Sequence, residues 1–153
     1  MRQAITYDDV LLVPSYNNYE SRREVDISVT DKTGRLKLEV PVFTSNMDTV
    51  TEYSMANFIR SKGGMGVLHR FMSIEDNVTQ FKKSNKDAVV SLGCSQEDYE
   101  RAQALYDAGA TYFCVDVAHA HAKYVGRTLK NLREMFGENI CIIAGNVATY
   151  AGA

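Results

Sequence analysis

At five places a short apolar run stops and chemically capable residues begin: Ser45 to Asp48 in "PVFTSNMDTVTE", His69 and Arg70 after "GVL", Gly93 and Cys94 after "VVSL", Asp116 to His121 after "YFCV", and Asn146 after "CIIAG". Thr49 and Glu52 fit a capping box, in which a hydroxyl and a carboxylate each satisfy a free N–H at a helix start. That leaves Ser45, Asn46, Met47 and Asp48 without a local role. Asp116 can cap a following helix or accept from ribose hydroxyls, and the residues alone leave both open. Arg70 reads equally as a solvated charge or a contact to a polar ligand. His119 and His121 present two imidazoles, but with a distant His69 they match no standard zinc spacing, so loop hydrogen bonding is their expected role. Cys94 stands just past "VVSLG" with no neighbour in sequence to activate it.

These residues need elements to position them. Residues 1–40 begin irregularly in "TYDDVLLVPSYNNYESRR", after which "EVDISVT" and "RLKLEV" alternate apolar and polar around "DKTG", the pattern of a hairpin with one covered face. From Pro41 a unit repeats: a short strand, a polar loop, then a helix. The strands are "VFTS", "GVLH", "AVVSLG", "YFCVDV" and "CIIAGN". Ile74, Val78 and Phe81 form one helical stripe, and Val125, Leu129, Leu132 and Phe136 form another. Ser73 with Asp76 and Ser95 with Asp98 supply N-caps, and "AGA" after Tyr106 closes the third helix. "GGMG" precedes a strand and lacks the third glycine of a dinucleotide-binding fingerprint, so it turns the chain from helix to strand.

A strand about every 25 residues suits βα units in a parallel sheet. Two architectures fit: a five-stranded doubly wound sheet, or part of an eight-stranded (β/α) barrel. In both, the C-terminal strand ends share one side and their polar residues converge there. The 153 residues, 45% hydrophobic and 24% charged, suit one globular domain. A net charge of -2 offers a polyanion no general attraction, so nucleic acid is not an expected partner. No apolar run approaches a membrane span and the N-terminus lacks a signal-peptide core, so a cytoplasmic location is expected. Three cysteines at wide spacing form neither a disulfide framework nor a zinc knuckle; Cys114 and Cys141, inside strands, are expected to be inert.

Taken in order, "TYDDVLLVP", "SRREVDISV", "NMDTVTE", "GGMGVLHR", "VDVAHAH" and "AGNVAT" resemble segments of the inosine monophosphate dehydrogenases and GMP reductases. The resemblance covers almost the whole chain and implies the barrel, with residues 1–153 as the N-terminal portion of one catalytic domain: about five of eight βα units, preceded by the segment and hairpin of residues 1–40. It implies a tetramer. It also implies that Ser45 and Met47 lie beneath a purine nucleotide, IMP or GMP, where a hydroxyl meets sugar or phosphate and a polarizable thioether packs on the base. Asp116, Val117 and Ala118 match the segment that contacts the nicotinamide dinucleotide. Asn146 falls near the same pocket, Arg70 beside the cofactor, and Ser21 with Arg22 where reductases reach a neighbouring subunit's cofactor.

Other family features have no counterpart in these residues. Relatives attack C2 of the purine with a cysteine on a glycine-rich loop after the sixth strand, and Cys94, Cys114 and Cys141 are not in that motif. The chain by itself is therefore expected to be inactive, with the potassium-binding loop, where one exists, also belonging to a longer protein. "TYAGA" reads as a helix start without a stop signal. "FKKSNKDAVVSLG" runs from helix to strand without the regulatory CBS pair that many dehydrogenases insert. The expected activity of the longer protein is oxidation of IMP to XMP with NAD. The alternatives are reductive deamination of GMP with NADPH and, in a different class, a noncatalytic module.

Overall fold

The computed structural model describes residues 5–153. A hairpin of β1 (Val29–Thr30) and β2 (Lys37–Leu38) precedes α1 (Tyr53–Arg60), β3 (Val67–Leu68), α2 (Ile74–Lys83), β4 (Val89–Leu92), α3 (Gln96–Asp107), β5 (Tyr112–Asp116), α4 (Lys123–Phe136) and β6 (Cys141–Gly145). Strands β3 to β6 form one parallel sheet in chain order. The "VFTS" run continues it through a parallel bridge between Phe43 and Met65, with Met65 N donating to Val42 O and Thr44 N to Met65 O. A doubly wound sheet reverses its strand order at a switch point. Here five successive positions follow chain order without reversal, which is the progression of a (β/α) barrel.

Strand alternation sorts the apolar residues into two layers. Leu68, Val90, Leu92, Phe113 and Val115 face outward and pack with Phe81, Ala102, Leu105, Val125, Leu132 and Phe136 of the helices. Val67 and Val89 face the other way, with Met65 and Leu38 of the hairpin, and Tyr112, Cys114 and Ile143 sit half-buried beside them. Each fully buried large side chain contributes about 1.5–3 kcal/mol, so the helix-facing layer dominates stability. The inner layer is thin. The accessible surface is 10797 Å² for 17.1 kDa, against about 7,800 Å² for a closed monomer of that mass. Leu11 and Leu12, 95% and 98% exposed, contribute to the excess.

Local start and stop signals act as the sequence indicated at α2 and α3. Ser73 Oγ accepts from Asp76 N, and Ser95 with Asp98 forms a complete capping box. Gly109, at φ +107°, turns the chain out of α3. At α1 the expectation fails. Thr49 lies in a turn, Glu52 is the N-cap residue but its own side chain makes no cap bond, and Gln80 Oε1 of α2 instead accepts from Tyr53 N at 2.9 Å. Val50 N and Thr51 N both donate to Met47 O, so this turn has closed before the helix begins. The hairpin is also shorter than its alternating pattern suggested, pairing only Val29 with Leu38 and Thr30 with Lys37.

The glycines of "GGMG" do more than turn the chain. Gly63 takes φ +86° as a helix exit, but a Cβ on Gly66 would stand 2.5 Å from Ala56 Cα. The backbone of α1 therefore rests directly on the strand entry. Gly66→Ala is expected to lower stability by about 2–3 kcal/mol through overpacking, read as a fall in the denaturation midpoint. An unchanged midpoint would mean that α1 is not seated on β3.

Candidate functional site

The loop after the first strand position is a closed turn. Thr51, fully buried, donates its hydroxyl to Ser45 O at 2.6 Å, while the Met47 carbonyl accepts from Val50 and Thr51. This leaves Ser45 and Met47 exposed and Asn46 half-buried between them. Asn46 Nδ2 then donates to Asp116 Oδ2 at 2.9 Å, across 70 residues of sequence. In a flat sheet, the first and fourth strand positions would be about 14 Å apart. Contact between two short side chains at their tips requires the sheet to curl, and it puts Ser45 to Met47 and Asp116 at one mouth.

At β5 and β6 the backbone builds the adjoining wall. Asp116 pairs in register with Gly145; beyond the strands, Val117 N donates to Gly145 O, Asn146 N to Val117 O, and Ala120 N to Asn146 O. Asp116 and Val117 are half-buried, and Ala118 and Asn146 are exposed. Asp116, Val117, Ala118 and Asn146 therefore form one contiguous group, joined to the Ser45–Met47 loop through Asn46. A carboxylate that donates nothing and retains acceptor positions beside Asn46 suits a hydroxyl-bearing ligand.

Arg70 belongs to the next part of the rim. Its guanidinium lies over the Phe71 ring, 5.2 Å from the centroid, and 3.2 Å from where a Gly93 side chain would begin. A Cβ at Gly93 would also meet Asp98 Oδ2 at 2.7 Å, so glycine is needed there for close approach. Asp98 Oδ1 accepts from Gly93 N, and Oδ2 from Ser95 N and Oγ. Burial alone would raise the Asp98 carboxyl, but the bonds from Ser95 and Gly93, with the Arg70 charge nearby, hold it below its ordinary value. His69 is 3% exposed; its Nδ1 accepts from Phe71 N, and Nε2 lies 3.9 Å from Glu52 Oε1 without a hydrogen bond.

The cysteines are half-buried. Burial, helped by Asp116, pushes the Cys114 thiol up to about 11, and burial also raises Cys141. Neither is a good nucleophile near neutral pH. Ser21 caps a 3-10 turn, Arg22–Glu24, accepting from Arg23 N, and no hydrogen bond among the described residues joins Ser21 or Arg22 to the strand tips. Among the described residues no cluster of three or more His, Cys, Asp or Glu could hold a metal, and no helix is long and apolar enough to cross a membrane. A cavity of about 640 Å³ lies between the hairpin and the end of α1, bordered by Thr30, Lys37, Glu39 and Arg60, away from the strand tips. A cleft left between a two-residue hairpin and a helix end accounts for it. We place the site at the mouth, where the polar groups converge.

Sequence reasoning passed over two residues. Asn46 had no assigned role, because its partner is 70 positions away and no motif signals it. Asp98 was recognised as a cap, but not as the group that holds the β4 tip.

Residues 4–153 match the family described as "IMP dehydrogenase / GMP reductase domain". The chain is 38% identical over 149 residues to a GMP reductase of Albidiferax ferrireducens, covering 94% of this chain and 44% of that protein. It is 29% identical over 191 residues to an inosine-5'-monophosphate dehydrogenase of Cryptosporidium parvum, covering 96% and 47%. The crystal structure of inosine 5' monophosphate dehydrogenase from Legionella pneumophila superposes with a TM-score of 0.90 at 63% identity, over 98% of this chain and 46% of that one. The chain thus spans somewhat under half the length of these relatives, and its fold is part of a (β/α) barrel. It belongs to the IMP dehydrogenase / GMP reductase family.

Because the folded Asp98 carboxyl is depressed, its contribution is fully present above the unfolded value and is lost as pH falls through the folded value, below 3.8. Asp98→Asn is expected to cost about 1–3 kcal/mol at neutral pH, because an NH2 group replaces one of the two acceptor oxygens and leaves either the Gly93 donor or the Ser95 donors unpaired. Denaturation across pH should show the gap between the two forms closing below 3.8. A constant gap down to roughly pH 2 would contradict this role.

Proposed function

We propose, from this family membership, that the chain supplies the nucleotide floor and the cofactor carboxylate of a purine nucleotide oxidoreductase whose complete barrel oxidises IMP to XMP with NAD. Ser45 and Met47 hold the nucleotide. The hydroxyl reaches sugar or phosphate, and the thioether lies against the purine face. Asp116 accepts from ribose hydroxyls of the dinucleotide, with Val117, Ala118 and Asn146 lining the same wall and Arg70 contributing charge beside it. When bound, the nicotinamide takes up the hydride. The residues of this chain bind and orient.

The observation that carries the dehydrogenase reading is the 63% identity, at a TM-score of 0.90, to a structure described as a dehydrogenase. A reductase acting on GMP with NADPH is the second reading, favoured by the 38% identity to a protein named GMP reductase. In both, residues 1–153 are one portion of a single catalytic domain. The short passage from α2 to β4 through residues 84–88 supports a domain without the CBS insertion at that point. In both, the complete enzyme is a cytoplasmic tetramer; in the reductase reading Ser21 and Arg22 reach a neighbouring subunit's cofactor, and a potassium-binding loop, where one exists, lies outside these residues. The 153-residue chain alone is inactive, because Cys114 and Cys141 are held as poor nucleophiles and Cys94 has no activating partner in sequence.

Supplying IMP with NAD, or GMP with NADPH, to the complete enzyme while following nicotinamide absorbance tests the reading directly. Turnover is expected in the first mixture, and turnover confined to the second would establish the reductase. Asp116→Ala should raise the cofactor KM about tenfold or more with little effect on the nucleotide KM, and Met47→Ala should do the reverse. Equal effects of both changes on both constants would contradict the site assignment.

A further inference from the structure

We propose that Asn46 is a positioning residue whose side-chain amide fixes the Asp116 carboxylate in the orientation that receives the cofactor ribose; this rests on the function proposed above. The hydrogen bond from Nδ2 to Oδ2, at 2.9 Å and half-buried, is the one side-chain hydrogen bond among the described residues between the 45–52 loop and β5. Asp116 is the last residue of β5, so its backbone is fixed by pairing with Gly145 while its side chain projects beyond the sheet. A carboxylate there would rotate freely about two bonds. One charge-assisted bond removes that freedom at the cost of a single lone pair and leaves the carboxylate further acceptor positions for ligand hydroxyls.

The donor is well chosen for this task. A lysine or arginine would neutralise the carboxylate and compete with the ligand hydroxyls for it, whereas a neutral amide orients it and leaves its charge in place. The amide is itself held. Its backbone lies in the turn closed by the Thr51 hydroxyl on Ser45 O and by the two N–H groups on Met47 O. A rigid support behind a short side chain is what preorganises a binding group.

The test is a double-mutant cycle on the complete enzyme, reading both Michaelis constants in the wild type, Asn46→Ala, Asp116→Ala and the double variant. Asn46→Ala alone should raise the cofactor KM about tenfold and leave the nucleotide KM within about twofold. In the Asp116→Ala background it should change the cofactor KM less than about twofold, because the group it acts through is gone. Asn46→Asp preserves shape but sets a second carboxylate against Asp116, and should raise the cofactor KM more than Asn46→Ala. If Asn46→Ala does not fold, Asn46→Ser, which keeps a short polar side chain, takes its place in the cycle.

Independent, multiplying effects of the two changes would overturn the inference. So would a rise in nucleotide KM alone, which would make Asn46 only a latch of its own loop, or an Asn46→Asp enzyme equal to wild type. An Asp116→Ala enzyme with an unchanged cofactor KM would instead refute the cofactor site itself, a failure separable from that of Asn46.

Discussion

The contact between Asn46 and Asp116 constrains everything at the strand tips. Two side chains that reach only a few ångströms from the backbone meet across three strand spacings, and this is possible only if the sheet is rolled. Rolling turns separate polar loops into one rim. It also sets the interior, where Val67, Val89 and Met65 converge and the hairpin residue Leu38 plugs the far end.

Other features serve the same curvature. Gly66 lets α1 lie on the strand entry, and Gly93 lets Asp98 approach the β4 tip from the start of α3. Arg101, 3% exposed, fastens α3 to α2 through Asn77, whose amide in turn holds the His69 carbonyl. The helices are thus pinned near the ends where the loops emerge. Stability comes mainly from the layer between sheet and helices, while the inner face keeps polar and half-covered groups such as Cys114 and Asp116. The more stable side of the sheet positions the side that carries the candidate site.

Much of this was legible because its causes are local. Helical stripes at Phe81 and Leu132, caps at Ser73 and Ser95, and the strand repeat all depend on residues within a few positions of one another. The barrel was not legible from periodicity, because strand order is a nonlocal property; the resemblance implied it, and the chain-order sheet agrees. Thr49 and Glu52 misled for the opposite reason. They satisfy a local rule, but the Met47 turn uses the backbone first and the Thr51 hydroxyl closes it. Asn46 lies beyond any local rule, since nothing at position 46 indicates a partner at 116. For Ser21 and Arg22, expected at a cofactor of a neighbouring subunit, no hydrogen bond among the described residues speaks to that role.

The rolled sheet is most directly tested by nuclear Overhauser effects from the Asn46 side-chain amide protons in isotopically labelled protein. Cross-peaks to the Asp116 β-protons are expected, since donor and acceptor lie 2.9 Å apart. Amide cross-peaks confined to residues 45–51, with none to β5, would contradict the rolled sheet and the candidate site built upon it.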